Sequence, residues 1–270
     1  MKKIFSLVLI LIFSAGFFTN CKKDKGAPPV LPPKESMTID FTHFSSTKKS
    51  LDLIPAQKGS TNSNWEYAAT VAGVWKLIIN TTLAIPVTAF IEALDKTPVF
   101  ISTKTWQWSY NVTYLSILYK VRLTGLIRSS DVQWKMYITK EGTDGFAEFL
   151  WFEGTSKLDG TGGQWILYES VQVPDALLQI DWTKTAAGVG YVKYTYLKNN
   201  SFNTSYIEYG LTTSALNAYY IIHYYNGVKF SDVNVEWNTL TRNGHVKSID
   251  YLGDANWYCW DGNKANTICL

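Results

Sequence analysis

Residues 146–168 read FAEFLWFEGTSKLDGTGGQWILY, an aromatic run, a turn of Gly, Asp, Thr and Ser, and a second aromatic run. This is the pattern of a β-hairpin. Strict alternation sets Ala147, Phe149 and Trp151 on one face and Phe146, Leu150 and Phe152 on the other. A strand apolar on both faces has no side for water. The hairpin is therefore expected inside a larger antiparallel sheet, with cover on each face.

Outward from it, a period of two runs from residue 103 almost to the end. Trp106, Trp108, Tyr110, Val112 and Tyr114 alternate with Thr105, Gln107, Ser109, Asn111 and Thr113. The parity slips at Leu115, which predicts a bulge, and Ile117, Tyr119, Val121 and Leu123 resume the apolar face. Val132, Trp134, Met136 and Ile138 mark the strand before the hairpin. Leu178, Ile180 and Trp182, then Val192, Tyr194 and Tyr196, mark two after it. Segments 206–211, 218–225, 233–239 and 245–251 complete the series. Between them lie turn signals such as Glu141-Gly142, Asn226-Gly227 and Asn243-Gly244. The expected fold is mainly β, an antiparallel meander of about ten strands forming a barrel or half-barrel.

Ahead of the meander, residues 37–44 (MTIDFTHF) alternate and read as a first strand, and residues 48–64 read as a polar loop. Ser63-Asn64-Trp65-Glu66 matches a capping box, and Tyr67, Val71, Val74, Trp75 and Ile78 follow helical spacing. Pro86 suits the first turn of a second helix, with Val87, Phe90, Ile91 and Leu94 as its stripe. One or two nearly uncharged helices over about residues 64–95 are thus expected on or inside the sheet.

Composition bounds the function. Apolar residues make up 46% of the 270 and charged residues 17%, enough for a large core. Without Lys2 and Lys3 the formal charge of +3 falls to about +1, and no basic stripe remains for nucleic acid. Aromatics reach 15%, with 11 Trp and 17 Tyr, and are the outlier.

Lys2-Lys3 followed by the apolar run 4–18 has the form of a signal peptide, too short to span a bilayer. The run ends FFTNC at residues 17–21 and continues KKDKGAPPVLPP. This resembles a bacterial lipoprotein signal, and the CKKD start is similar to Bacteroidota lipoproteins. The resemblance implies cleavage before Cys21 and lipidation of Cys21, although Phe18, Thr19 and Asn20 stand where Leu and small residues are usual. Ordinary secretion with Cys21 incidental is the alternative. The implied organisation is a signal peptide at 1–20, a lipidated Pro-rich tether at 21–36 and one β-rich domain at 37–270. Pro28, Pro29, Pro32 and Pro33 stiffen the tether, which is expected to hold the domain off the membrane without joining its core.

With Cys21 so used, Cys259 and Cys269 remain. In an exported chain they read as a disulfide contributing roughly 3 kcal/mol, with two free thiols as the alternative.

A search for chemistry returns little. His43, His223 and His245 lack metal-ligand spacing. His43 and His245 read as solvent-facing or structural, and His223, among Tyr219, Tyr220, Tyr224 and Tyr225, as a satisfied core histidine. No catalytic motif is present, and neither a metal nor a cofactor is expected. Asp159-Gly160-Thr161-Gly162-Gly163 is a turn. The run 261–266 fails as a calcium loop because Ala265 and Asn266 stand where an oxygen ligand and a Gly are required. Alternation puts Glu148 and Glu153 on opposite faces, too divided to act on one bond.

The remaining signal is Trp106, Trp108, Trp134, Trp151, Trp165, Trp182 and Trp237, which either fill a wide core or line a ligand site. The segments WQWSYNVTY, VQWKMYI and FLWFEGTSKLDGTGGQWILY resemble uncharacterised Bacteroidota outer-membrane lipoproteins. In outline the chain is also similar to lipid-binding lipoproteins, whose curled sheet packs around helices. The resemblance implies a protein anchored to the outer membrane through its N-terminal lipid. The leading expectation is a non-enzymatic protein holding a hydrophobic or lipid-like ligand in a curled-sheet cavity. The alternative is a surface glycan-binding module with exposed Trp rings.

Overall fold

The computed structural model describes residues 25–44, 60–185 and 188–269. The expected signal peptide, Cys21 and most of the loop expected at 48–64 lie outside them. Among the described residues one antiparallel sheet holds fourteen strands in strict sequence order. They are β1 (Val99–Ser102), β2 (Thr105–Tyr114), β3 (Ile117–Ile127), β4 (Asp131–Lys140), β5 (Phe146–Lys157), β6 (Gly162–Tyr168) and β7 (Ala176–Thr185). After these come β8 (Gly188–Tyr196), β9 (Tyr206–Leu211), β10 (Ala218–Tyr225), β11 (Phe230–Trp237), β12 (Gly244–Lys247), β13 (Tyr258–Trp260) and β14 (Asn266–Thr267). The meander is as expected, but it has fourteen strands rather than about ten. β1 and β14 are its two edges, so the sheet does not close into a barrel.

The excess strands have local causes. Leu115 is the site of a reversal, not a bulge. Tyr114 pairs with Ile117, and Leu115 and Ser116 both take positive φ, at 49° and 64°. Such a two-residue turn keeps Tyr114 and Ile117 on one face, which is why the apolar pattern runs on through it. β1, β13 and β14, of two to four residues each, are too short to show a period.

Two helices cover one face. Helix α1 (Ser63–Thr82) lies over β12–β14, and α2 (Ala84–Ala93) lies over β2. Pro86 has no N–H to offer the Thr82 carbonyl, so the helix breaks at Leu83 and the pair bends by 70°. Trp65, Ala68, Ala72, Trp75 and Ile79 form the buried stripe of α1, and the small Ala68 and Ala72 let it approach closely. In α2 the buried set is Pro86, Ala89, Phe90 and Ala93, and Ile91 of the expected stripe stands in solvent. A short third helix, α3 (Ile249–Leu252), replaces the end of the strand expected at 245–251.

Residues 37–44 do not join the sheet. They are extended between two 3-10 turns, Lys34–Met37 and Thr42–Phe44. Met37, Ile39, Phe41 and Phe44 are nonetheless all buried, because the segment lies on the helix-facing side of the sheet. Side chains from the sheet satisfy its polar groups. Trp165 Nε1 donates to Ser36 Oγ at 3.3 Å, and the Tyr220 hydroxyl donates to the Asp40 carbonyl. The packing begins upstream of residue 37. Pro29 and Pro32 are buried, so the proline segment is part of the core from residue 29, and the expected tether is shorter than 21–36.

The hairpin at 146–168 is present, but its faces differ from strict alternation. β4 and β5 fall out of register twice, and Glu148 takes φ 46° at the second irregularity. The bulges bring Phe146, Phe149 and Trp151 together, with ring centroids 5.6–6.1 Å apart. Phe149 pairs with the buried Ile138, and Phe152 with the buried Met136. The second cover that the alternation called for is therefore unnecessary. The outer face is polar, with Arg122 bonded to Glu148 at 2.7 Å and Tyr168 to Glu153 at 2.7 Å. Asp181 there accepts from Gln164 at 2.8 Å and from Gln179 at 2.7 Å.

Four of the buried tryptophans share one arrangement. Trp134 pairs across strands with Gly125, Trp165 with Gly154, Trp182 with Gly163 and Trp260 with Gly244. Each ring lies over its glycine. A Cβ there would come within 2.7 Å of Trp134, 2.5 Å of Trp165, 2.9 Å of Trp182 and 2.5 Å of Trp260. The rings thus occupy the space of absent side chains, and all four are at most 1% exposed.

Gly154→Ala is expected to lower the unfolding free energy by about 2 kcal/mol through overpacking against Trp165. Leu115→Asn with Ser116→Gly is expected to raise it by about 1 kcal/mol, because those residues tolerate positive φ. Urea denaturation of the variants measures both.

Candidate functional site

A cavity of about 290 Å³ opens at the α1 end of the sheet, lined by Asp40, Thr42, His43, Trp65, Trp237, Thr239, Arg242 and Lys264. Four pieces of chain supply it, and each is fixed locally. Asp40 Oδ1 accepts the Thr42 N–H at 2.8 Å, shaping the turn that presents His43. The His43 ring stacks on Trp237 at 5.5 Å and meets the edge of Phe44 at 4.7 Å. Trp65, in the first turn of α1, stacks on Phe44 at 6.2 Å.

The two cations come from turns. Asn238 Oδ1 accepts the N–H groups of Leu240 and Thr241, which builds the β11–β12 turn, and the Arg242 carbonyl accepts Trp260 Nε1 at 2.9 Å. Asp261 Oδ1 accepts the N–H groups of Asn263 and Ala265 in the β13–β14 turn. The run that fails as a calcium loop is therefore an Asx turn. It aims Lys264 Nζ over the Trp65 ring at 3.9 Å. Arg242 and Lys264 both sit at positive φ, 65° and 71°.

The start of α1 is held from the far end of the chain. The expected capping box does not form, since Ser63 is already helical and Asn62 makes no side-chain cap. Instead Asn266 Oδ1 accepts the Asn64 N–H at 3.1 Å, and Asn266 Nδ2 donates to the Ser60 carbonyl at 2.9 Å. Asn64 Nδ2 in turn donates to the Cys259 carbonyl at 2.9 Å. Cys259 and Cys269 are joined in a disulfide, with Cα atoms 5.2 Å apart. The crosslink closes β13–β14 into the clamp that positions Trp65 and Lys264.

Burial is the main force on His43, lowering its pKa from 6.5 to about 4; Arg242 and Lys264 add to the effect and Asp40 opposes it. The imidazole is neutral at pH 7. His43 Nε2 and Trp65 Nε1 are buried without a hydrogen-bond partner among the described residues. Two polar nitrogens in the wall of one cavity are thus unsatisfied, which ordinarily costs free energy.

The tryptophan set expected to form a site is mostly core. Trp108, Trp134, Trp165, Trp182 and Trp237 are at most 2% exposed, and Trp106 and Trp151 are half-buried against the core. Of the seven, Trp237 alone lines the cavity. Its companions there, Trp65, Arg242 and Lys264, carried readings of helix cap, turn and failed loop. His43 stands inside rather than in solvent. His223 lies on the outer face instead of in the core, stacked on Phe230 at 4.6 Å and bonded to Asp232 at 2.7 Å. His245 is likewise structural, 3.0 Å from Glu236 and stacked on Trp257 at 3.7 Å. Among the described residues no cluster of His, Cys, Asp and Glu could hold a metal.

An unfolded histidine protonates near pH 6.5, whereas His43 does so near 4. Between those values the unfolded chain binds more protons, so stability falls as pH drops through the window. Denaturation at pH 7 and pH 4.5 should show the loss, and a smaller loss in His43→Gln. Asn266→Ala is expected to cost about 1–2 kcal/mol as a lost cap, measured the same way. Compared with protein-family models, curated proteins and solved structures, the chain matches none.

Proposed function

We propose that this is a non-enzymatic binding protein of the cell envelope, which takes a small sugar-like ring into the cavity between Trp65 and Trp237. The observation that carries the reading is the cavity itself. It joins aromatic walls to convergent polar groups, and its volume of about 290 Å³ suits one ring. Asp40, Thr42 and Thr239 serve the hydroxyls, and Trp65 and Trp237 line the apolar side of the pocket, their ring faces already covered by Phe44 and Lys264 and by His43 and Tyr209. This is the glycan-binding alternative in altered form, a pocket whose rim residues Asp40, Thr42, Thr239 and Arg242 are exposed, rather than a platform of exposed Trp.

A lipid-like ligand between sheet and helices would have to displace Trp134, Phe152, Trp165 and Leu178, each at 0% exposure. One stoichiometric lipid found by mass spectrometry in the gently solubilised protein would favour that reading instead.

The anchor belongs to the same proposal. Lipidated at Cys21, the protein is held at the outer membrane. Pro29, the first buried position among the described residues, follows Cys21 by eight positions, a reach of about 28 Å at most. The body then sits close to the bilayer.

Calorimetric titration of the full-length protein in detergent with a panel of mono- and disaccharides should give saturable one-site binding. Thr239→Trp, which fills the cavity from an exposed position, should abolish it without loss of fold. No binding by any saccharide overturns the reading. Metabolic labelling with palmitate should mark the wild type and not Cys21→Ser.

A further inference from the structure

We infer that the cavity selects a ring bearing a single carboxylate, a uronic-acid type of sugar, clasped by Arg242 and Lys264. The inference rests on the binding reading above and names the ligand class it leaves open.

Charge pairing carries it. The other arginines, Arg122 and Arg128, are paired with Glu148 and Asp131. Arg242 and Lys264 have no ion-pair partner among the described residues, although both face one cavity. The guanidinium fork matches a carboxylate in bidentate fashion, and the ammonium adds a point charge beside it.

The count of charges narrows the anion. With His43 neutral, the wall holds two cations and Asp40, one net positive charge. One carboxylate neutralises it. A phosphate ester, carrying about −1.5 to −2 at pH 7, would leave excess negative charge facing Asp40. Asp40 instead accepts from ring hydroxyls.

Lys264 and Arg242 occupy left-handed conformations, where Gly would be easier to place than a long cation.

The experiment is ligand-observed NMR titration of the full-length protein in detergent with glucuronate, galacturonate, glucose and glucose 6-phosphate. A uronate should bind about tenfold or more tightly than glucose or the phosphate ester, and should weaken as salt rises. Arg242→Gln and Lys264→Gln should each weaken the uronate by about tenfold more than they weaken glucose. Lys264→Gly should lose the uronate while its thermal midpoint stays level or rises, an outcome a purely structural lysine would not give. Equal binding of glucose and uronates, tightest binding of the phosphate ester, or indifference to both Gln variants overturns this inference and leaves the binding reading standing. Failure of every sugar overturns both.

Discussion

A tryptophan laid over a glycine one strand away is the contact on which the architecture depends. The sheet is broad, and a helix-facing side lined uniformly with large residues would hold the helices and the segment 29–44 too far off to be packed. Glycine on the neighbouring strand gives the indole a bed, and the indole shields backbone that a glycine leaves bare. Pro29 shows the gain in closeness. A Cβ on Gly125 would meet both the Trp134 ring and Pro29, the latter at 3.0 Å. Four tryptophans and four glycines thus form one feature, and of the seven tryptophans that first suggest a ligand site Trp237 alone lines the cavity.

This layering also locates the cavity. Across β3–β8 the inward side chains interdigitate with α2 and residues 29–41. At the other end the layer consists of separate pieces, the Thr42–Phe44 turn, the start of α1 and two hairpin turns. Pieces joined by turns leave gaps, and turns carry long polar side chains into them. The meeting of Arg242, Lys264 and Asp40 with two indoles follows from that geometry.

Much of the fold was legible in residue order. Alternation of large apolar and polar residues marks β2, β4 and β7 with their correct faces, and the spacing from Tyr67 onward marks α1. The failures share a cause, which is that a period says which residues are buried and not what lies opposite them. Residues 37–44 alternate because one side of an extended segment is buried, whether its neighbours are strands or the face of a sheet. Leu115-Ser116 lacks the Asn or Gly that announces a reversal. Glu148 hides a bulge in an otherwise regular strand. The cavity was less legible still, because its walls lie some two hundred residues apart, as the contact of Asn64 with Asn266 shows with its separation of 202.

That contact has a consequence for how the molecule comes into being. The first turn of α1 is completed by a side chain from the last strand, itself fastened by the disulfide to the strand before. Closing so long a loop carries a large entropic cost, offset only once the C-terminal hairpin is in place. A chain still being made, N-terminus first, would have its helix sequence, most of its sheet and Trp65, but no Lys264 and no Asn266. The pocket therefore cannot form on a chain that still lacks its last turn and strand, and it is complete only when Cys259 and Cys269 are joined around them.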